Sequence, residues 1–169
     1  MKHRGKTYWR RKRDKLIRKH VIPSGQVLDV GCGWRVYSKN AVRLDIRLGC
    51  HPDVVADIQE GICFRDSTFD TVLMFDLLEH LESPHRAIEE VKRILKPSGV
   101  VYLTVPFCFP RHGREYYRFS DLALKKMFKD CDVQIVPVVK SRFWNLVWNY
   151  YPQDLLVEGY FMSARKSLK

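Results

Sequence analysis

The chain has 169 residues and a mass of 20.0 kDa, enough for one domain with its own core; 46% hydrophobic and 29% charged residues exclude a disordered or fibrous chain. Five scattered cysteines with no CxxC pair point away from disulfides and structural zinc, and the longest apolar run, Val100 to Phe109, is too short to span a bilayer. The formal net charge of +11 is concentrated between Lys2 and Lys19, where one Asp stands among repeated Lys and Arg.

That basic segment predicts an N-terminal helix over residues 1–22 with no apolar run behind it, so neither a signal peptide nor an anchor is expected. Its charge reads as an arm for nucleic acid or another anionic surface, or as a solvated helix packed on the body through Tyr8, Leu16 and Ile17. Pro23-Ser24-Gly25 breaks it, and Gln26 to Val30 forms a first strand. Short strands follow at Ala41 to Leu44 and Asp53 to Ala56, then a longer one at Phe69 to Phe75. Pro84 opens a helix that runs to Leu95, with Ala87, Ile88, Val91, Ile94 and Leu95 on one face. Lys96-Pro97-Ser98-Gly99 stops it before a fifth strand, Val100 to Val105. Ser120 caps a helix reaching Phe128, and Val133 to Val139 and Leu155 to Ala164 supply two last strands. Strands alternating with helices predict an α/β, doubly wound, mostly parallel sheet in residues 26–169, in a single domain.

Gly31 and Gly33 turn the chain at the end of the first strand, where open α/β sheets bind nucleotide-like ligands. Asp45, Asp57 and Asp76 end three further strands along the same edge, and a carboxylate there can accept from both hydroxyls of a ribose. A dinucleotide site would have a glycine where Val36 stands and an acid about twenty residues on. Asp45 follows too early for that, and no Walker loop occurs, so a nucleoside without phosphates is favoured.

The series Val27-Leu-Asp-Val-Gly-Cys-Gly33, Arg43-Leu-Asp-Ile46, Val55-Ala-Asp-Ile58, Ser67 through Leu81, and Pro84 through Gly99 resembles the class I S-adenosylmethionine-dependent methyltransferases, close to the small type 11 group. The resemblance implies a Rossmann-like seven-stranded sheet with an antiparallel last strand, and S-adenosyl-L-methionine as cofactor. It implies that Asp29, Gly31, Cys32 and Gly33 hold the methionine moiety, and that Asp45 takes the ribose hydroxyls. Asp57 and Ile58 would border the adenine, and Met74 and Phe75 would contribute backbone contacts. Glu79 and His80 are hallmarks of the group, with Glu79 either functional or a support for its loop. Where the group has a third glycine this chain has Arg35, preceded by Trp34, which would cover the cofactor or fill a core gap. The link to the second strand is short, so the first crossover helix is reduced to a turn or missing.

Methyl transfer to oxygen is helped by a base, and His112 is the candidate. It opens a polar and aromatic stretch in which Tyr116, Tyr117 and Arg118 would bind substrate, unless Arg118 only pins the loop to Glu115 or Asp121. Residues 142–151, rich in Trp and Tyr, would roof an apolar acceptor, form a dimer patch or pack on the sheet. The expected function is methyl transfer to a small molecule, at oxygen, in the cytoplasm. The alternatives are an RNA methyltransferase using Lys2 to Lys19, and a cofactor-binding scaffold without catalysis. The strand end Phe75-Asp-Leu-Leu, in place of an Asn/Asp-Pro-Pro-Tyr/Phe motif, disfavours methylation of exocyclic base amines.

Overall fold

A computed structural model describes residues 8–108, 113–139 and 157–168. Its centre is a seven-stranded sheet in the order β3-β2-β1-β4-β5-β7-β6. The strands are β1 (Val27–Val30), β2 (Ala41–Asp45), β3 (Val54–Val55), β4 (Phe69–Phe75), β5 (Leu95–Pro106), β6 (Cys131–Val139) and β7 (Val157–Lys166). The first five run parallel, while β7 lies antiparallel to both β5 and β6. Neighbouring β1 and β4 are buried on both faces, which is why they read as unbroken apolar runs.

Among the described residues three helices cover the sheet: α1 (Tyr8–His20), α2 (Pro84–Ile94) and α3 (Asp121–Met127). Proline at the first turn and Lys92 and Arg93 in the last suit the dipole of α2, whose Ala87, Ile88, Val91 and Ile94 are buried. The Ser120 hydroxyl accepts from the Ala123 amide and caps α3. Both helices share one core with Leu28, Val72, Met74 and Leu103. On the other face, Ile17 of α1 packs with Val27, Ala41, Leu73, Phe75 and Phe161. The β1–β2 link contains no helix, so α1 covers the face that a first crossover helix would occupy. No helix among the described residues is long and apolar enough to cross a membrane.

Among the boundaries that differ from the sequence reading are those of the fifth and third strands. Leu95 already pairs with Phe69, and regular pairing resumes at Thr71 with Val100. The residues of Lys96–Gly99 therefore bulge out of β5 instead of forming a turn before it, with Ser98 at φ +62°. The third strand shrinks to Val54–Val55 because only two residues find partners on β2.

Gly159 fixes how closely α1 approaches the sheet. A Cβ there would lie 2.4 Å from the Val105 carbonyl oxygen and 2.5 Å from the Trp9 ring. Gly159→Ala is expected to cost about 1–3 kcal/mol by overpacking. A urea midpoint equal to that of the parent would show that the Val105 backbone and Trp9 both give way at no cost.

Candidate functional site

The carboxyl ends of β2, β1 and β4 converge on the glycine turn. Gly31 and Gly33 both have positive φ, 67° and 52°, and a Cβ on Gly31 would meet the Leu77 side chain at 2.7 Å. The Gly31 and Cys32 amides both donate to the Leu44 carbonyl, tying the turn to β2. The turn is thus a bare-backbone surface closed from one side by the residue after Asp76.

Asp45 lies beside this turn with its carboxylate almost fully buried. It accepts from the Gly33 amide at 2.9 Å and from the Arg47 amide at 2.9 Å. The Arg47 guanidinium adds Nε at 3.1 Å and Nη2 at 3.3 Å. Burial pushes the Asp45 carboxyl up, but these bonds from Arg47 and Gly33 outweigh it and hold the group below the usual carboxylate range. Arg43 is the strut behind the turn: its guanidinium donates to the carbonyls of Gly33 (2.7 Å), His51 (3.0 Å) and Cys50 (3.3 Å). Its buried Nε has no hydrogen-bond partner among the described residues. Asp29 lies beneath, pushed up to about 7 by burial, with Arg43 lowering it and Asp45 raising it further. Burial also pushes the Cys32 thiol up to about 11, so it stays protonated.

The other expected cofactor residues are placed differently from one another. Asp57 caps the 3-10 turn Ile58–Glu60, accepting from the amide and side chain of Gln59. Ile58 is sunk in the core, whereas Ile46, next to Asp45, is 63% exposed. Ile46 therefore offers an exposed apolar face beside Asp45, as Val55 does before Asp57. Met74 and Phe75 bury their side chains on opposite faces of β4, leaving only backbone at the edge. Trp34 is 72% exposed, edge-on to His51, so it fills no core gap.

Beyond β4, Asp76 has φ +51°, uncommon for a residue with a side chain. The Thr104 hydroxyl donates to its Oδ1 at 2.8 Å, and Arg13 of α1 pairs with its Oδ2. Arg13 is only 3% exposed and also binds Asp14, which in turn accepts from Arg35 at 3.0 Å. Part of the basic N-terminal segment thus enters the edge of the site, which composition had not revealed.

Glu79 is buried, with Oε2 unpartnered among the described residues. Burial pushes it up to about 8; nearby Glu115 raises it, while its own amide, Arg118 and Arg13 oppose. The stretch expected to bind substrate is strapped across the Glu79–Glu82 turn. The Tyr116 amide donates to the Glu79 carbonyl, and the hydroxyls of Tyr116 and Tyr117 donate to the Glu82 carboxylate and carbonyl. His80 Nδ1 donates to the Arg114 carbonyl at 2.6 Å. Arg118 binds Glu115 at 2.5 Å, the loop-pinning contact. Tyr117 and Arg118 also line a cleft of about 760 Å³ between α2 and α3. His112 and residues 142–151 lie outside the described residues.

The raised carboxyls have a measurable consequence. Asp29 and Glu79 keep protons in the folded chain that they lose in the unfolded one between about pH 4 and about pH 7 to 8. The folded state binds more protons there, so their contribution makes stability fall as pH rises through that window. Glu79→Gln should flatten the decline of the thermal midpoint across it; an unchanged slope would mean Glu79 is ionised throughout.

A family model described as a methyltransferase domain matches residues 1–138. The chain belongs to the methyltransferase domain family. Its cofactor is S-adenosylmethionine, and the bare glycine turn with a strand-end acid fits a nucleoside of that kind. The chain is 26% identical over 125 residues to a ubiquinone biosynthesis O-methyltransferase of Colwellia psychrerythraea, covering 62% of this chain and 49% of that protein. It is 36% identical over 103 residues to an uncharacterized protein of Methanocaldococcus jannaschii, covering 53% and 40%. It spans about half the length, or less, of these curated relatives. Among solved structures it resembles the [4+2]-cyclase SpnF, with a TM-score of 0.72 at 16% identity over 99% of this chain and 86% of that one. An S-adenosylmethionine-dependent methyltransferase of Mesorhizobium loti gives 0.67 at 14%, covering 90% and 96%. These two likenesses establish the fold.

Proposed function

We propose that the methyltransferase moves a methyl group from S-adenosylmethionine to an oxygen atom of a small-molecule acceptor. The observation that carries the cofactor half is Asp45, an ionised carboxylate fixed by two backbone amides beside a turn whose two glycines both lie at positive φ. The choice of oxygen is supported by the O-methyltransferases of Colwellia and Xanthomonas among its relatives. When bound, the cofactor supplies an electrophilic methyl group, leaving the protein to align reactants and receive a proton. Asp45 binds the ribose hydroxyls, while Asp29 and the Gly31–Cys32–Gly33 backbone hold the methionine moiety. Asp57 and Ile46 flank the base, with Ile58 packed beneath, and the backbone at Met74 and Phe75 borders the methionine end. His112 takes the acceptor's proton, and Tyr116, Tyr117 and Arg118 shape the acceptor side.

Calorimetry with S-adenosylhomocysteine tests the cofactor half, and absence of binding would sink it. Methyl-labelled cofactor offered with catechol or aniline tests the accepting atom: label is expected on catechol, and label on aniline alone would replace oxygen by nitrogen. His112→Ala should abolish label transfer and leave S-adenosylhomocysteine affinity within about twofold of the parent. Undiminished transfer would remove His112 as the base.

A further inference from the structure

Among the described residues, the outer face of α1 carries a concentration of charge that the site leaves unused. Arg11, Lys12, Lys15, Arg18 and Lys19 are all exposed. At 3.6 residues per turn they fall within a sector of about 120°, opposite the buried Trp9, Arg13 and Ile17. The only acid of the helix, Asp14, is buried against Arg13 and Arg35.

Helix stability does not account for this stripe. Arg18 and Lys19 favour the C-terminal end of the dipole, but the first turn carries Arg10 and Arg11 and no acid, which opposes it. Arg11 and Lys15, and Lys15 and Lys19, are like charges four residues apart, which repel. The stripe weakens the helix that carries it, and it faces outward from the sheet.

Two exposed apolar side chains flank it. Ile22, just past the end of α1, is 75% exposed. Trp34 is exposed beside Arg35, whose guanidinium reaches back to Asp14 of α1. We infer that this face of α1, with Ile22 and Trp34 at its margins, docks the protein on an anionic lipid bilayer. Clustered Lys and Arg on a helix match the negative surface potential of such a bilayer, and Trp partitions into its headgroup region. RNA would use the cations and stack on Trp34, but it gives an exposed Ile no role. A second copy of a chain carrying +11 would be repelled. This inference is independent of the acceptor and of the cofactor.

Flotation of the full chain with vesicles tests it. Binding is expected to phosphatidylcholine vesicles containing phosphatidylserine and not to phosphatidylcholine alone, and raised salt should release it. The Arg11→Gln, Lys15→Gln, Arg18→Gln triple variant should bind about a hundredfold more weakly, with unchanged S-adenosylhomocysteine affinity and an unchanged or higher thermal midpoint. Ile22→Ser should lower vesicle binding by about a few fold and leave binding of single-stranded poly(U) unaffected. No affinity for anionic vesicles, or equal affinity in the triple variant, would overturn the inference. Tighter binding of poly(U) than of vesicles at the same salt, lost in the triple variant, would reassign the face to nucleic acid and overturn it as well.

Discussion

Asp45→Ala is expected to weaken S-adenosylhomocysteine binding by about a hundredfold or more. Hydrogen bonds to a charged group contribute about 1.5–3 kcal/mol each, and a ribose diol makes two of them to a strand-end carboxylate. The substitution also strands the Gly33 and Arg47 amides, which Asp45 now satisfies, and so loosens the turn itself. Arg47→Ala should act in the opposite direction. Its exposed guanidinium occupies both carboxylate oxygens, so removing it frees acceptor sites and should tighten binding by about two- to fivefold. Calorimetry on the two variants separates the roles. Undiminished affinity in Asp45→Ala would place the ribose elsewhere, and weaker binding in Arg47→Ala would make Arg47 a contributor to the site.

Arg13→Met should lower unfolding stability by about 3 kcal/mol. A buried ion pair broken on one side leaves an uncompensated charge, typically at a cost of about 3–5 kcal/mol. The lower end applies because Asp14 retains Arg35 and Asp76 retains Thr104, and because Asp76 is partly open to water. Methionine keeps most of the packing volume, so the loss measures charge more than cavity. Urea unfolding reads the result directly, and a change below about 1 kcal/mol would show that solvent replaces Arg13 at no cost. Loss of the pair also frees α1 from the carboxyl edge, so limited proteolysis after Arg10 or Lys12 should speed up.

The elements that were legible in the sequence are those whose information is local. Helix α2 announces itself through Pro84 and the 3.6-residue spacing of Ala87, Ile88, Val91 and Ile94, and β4 through an apolar run of strand length. The missing crossover helix followed from the short link between Gly33 and Ala41. The bulge at Lys96–Gly99 was hidden because Pro-Ser-Gly is the same signal for a turn and for an irregular strand, and pairing with Phe69 decides between them. Ile58 and Ile46 both follow a strand-end Asp, and only packing shows that one is inside and the other outside.

By itself the sequence determined the α/β sheet, the glycine turn, the acid that ends the second strand and the family these features mark, because each is carried by residues close along the chain. Tertiary structure alone decided that Arg13 leaves a basic run to bind a strand-end carboxylate 63 residues away, and that Glu79 is buried among groups that disfavour its charge. It also decided that Tyr116 and Tyr117 hold one loop to another. The physical reason is the same in all three. The energy of a charge or a hydrogen bond depends on how much water remains around it and on what stands opposite, and both are set only when distant segments pack.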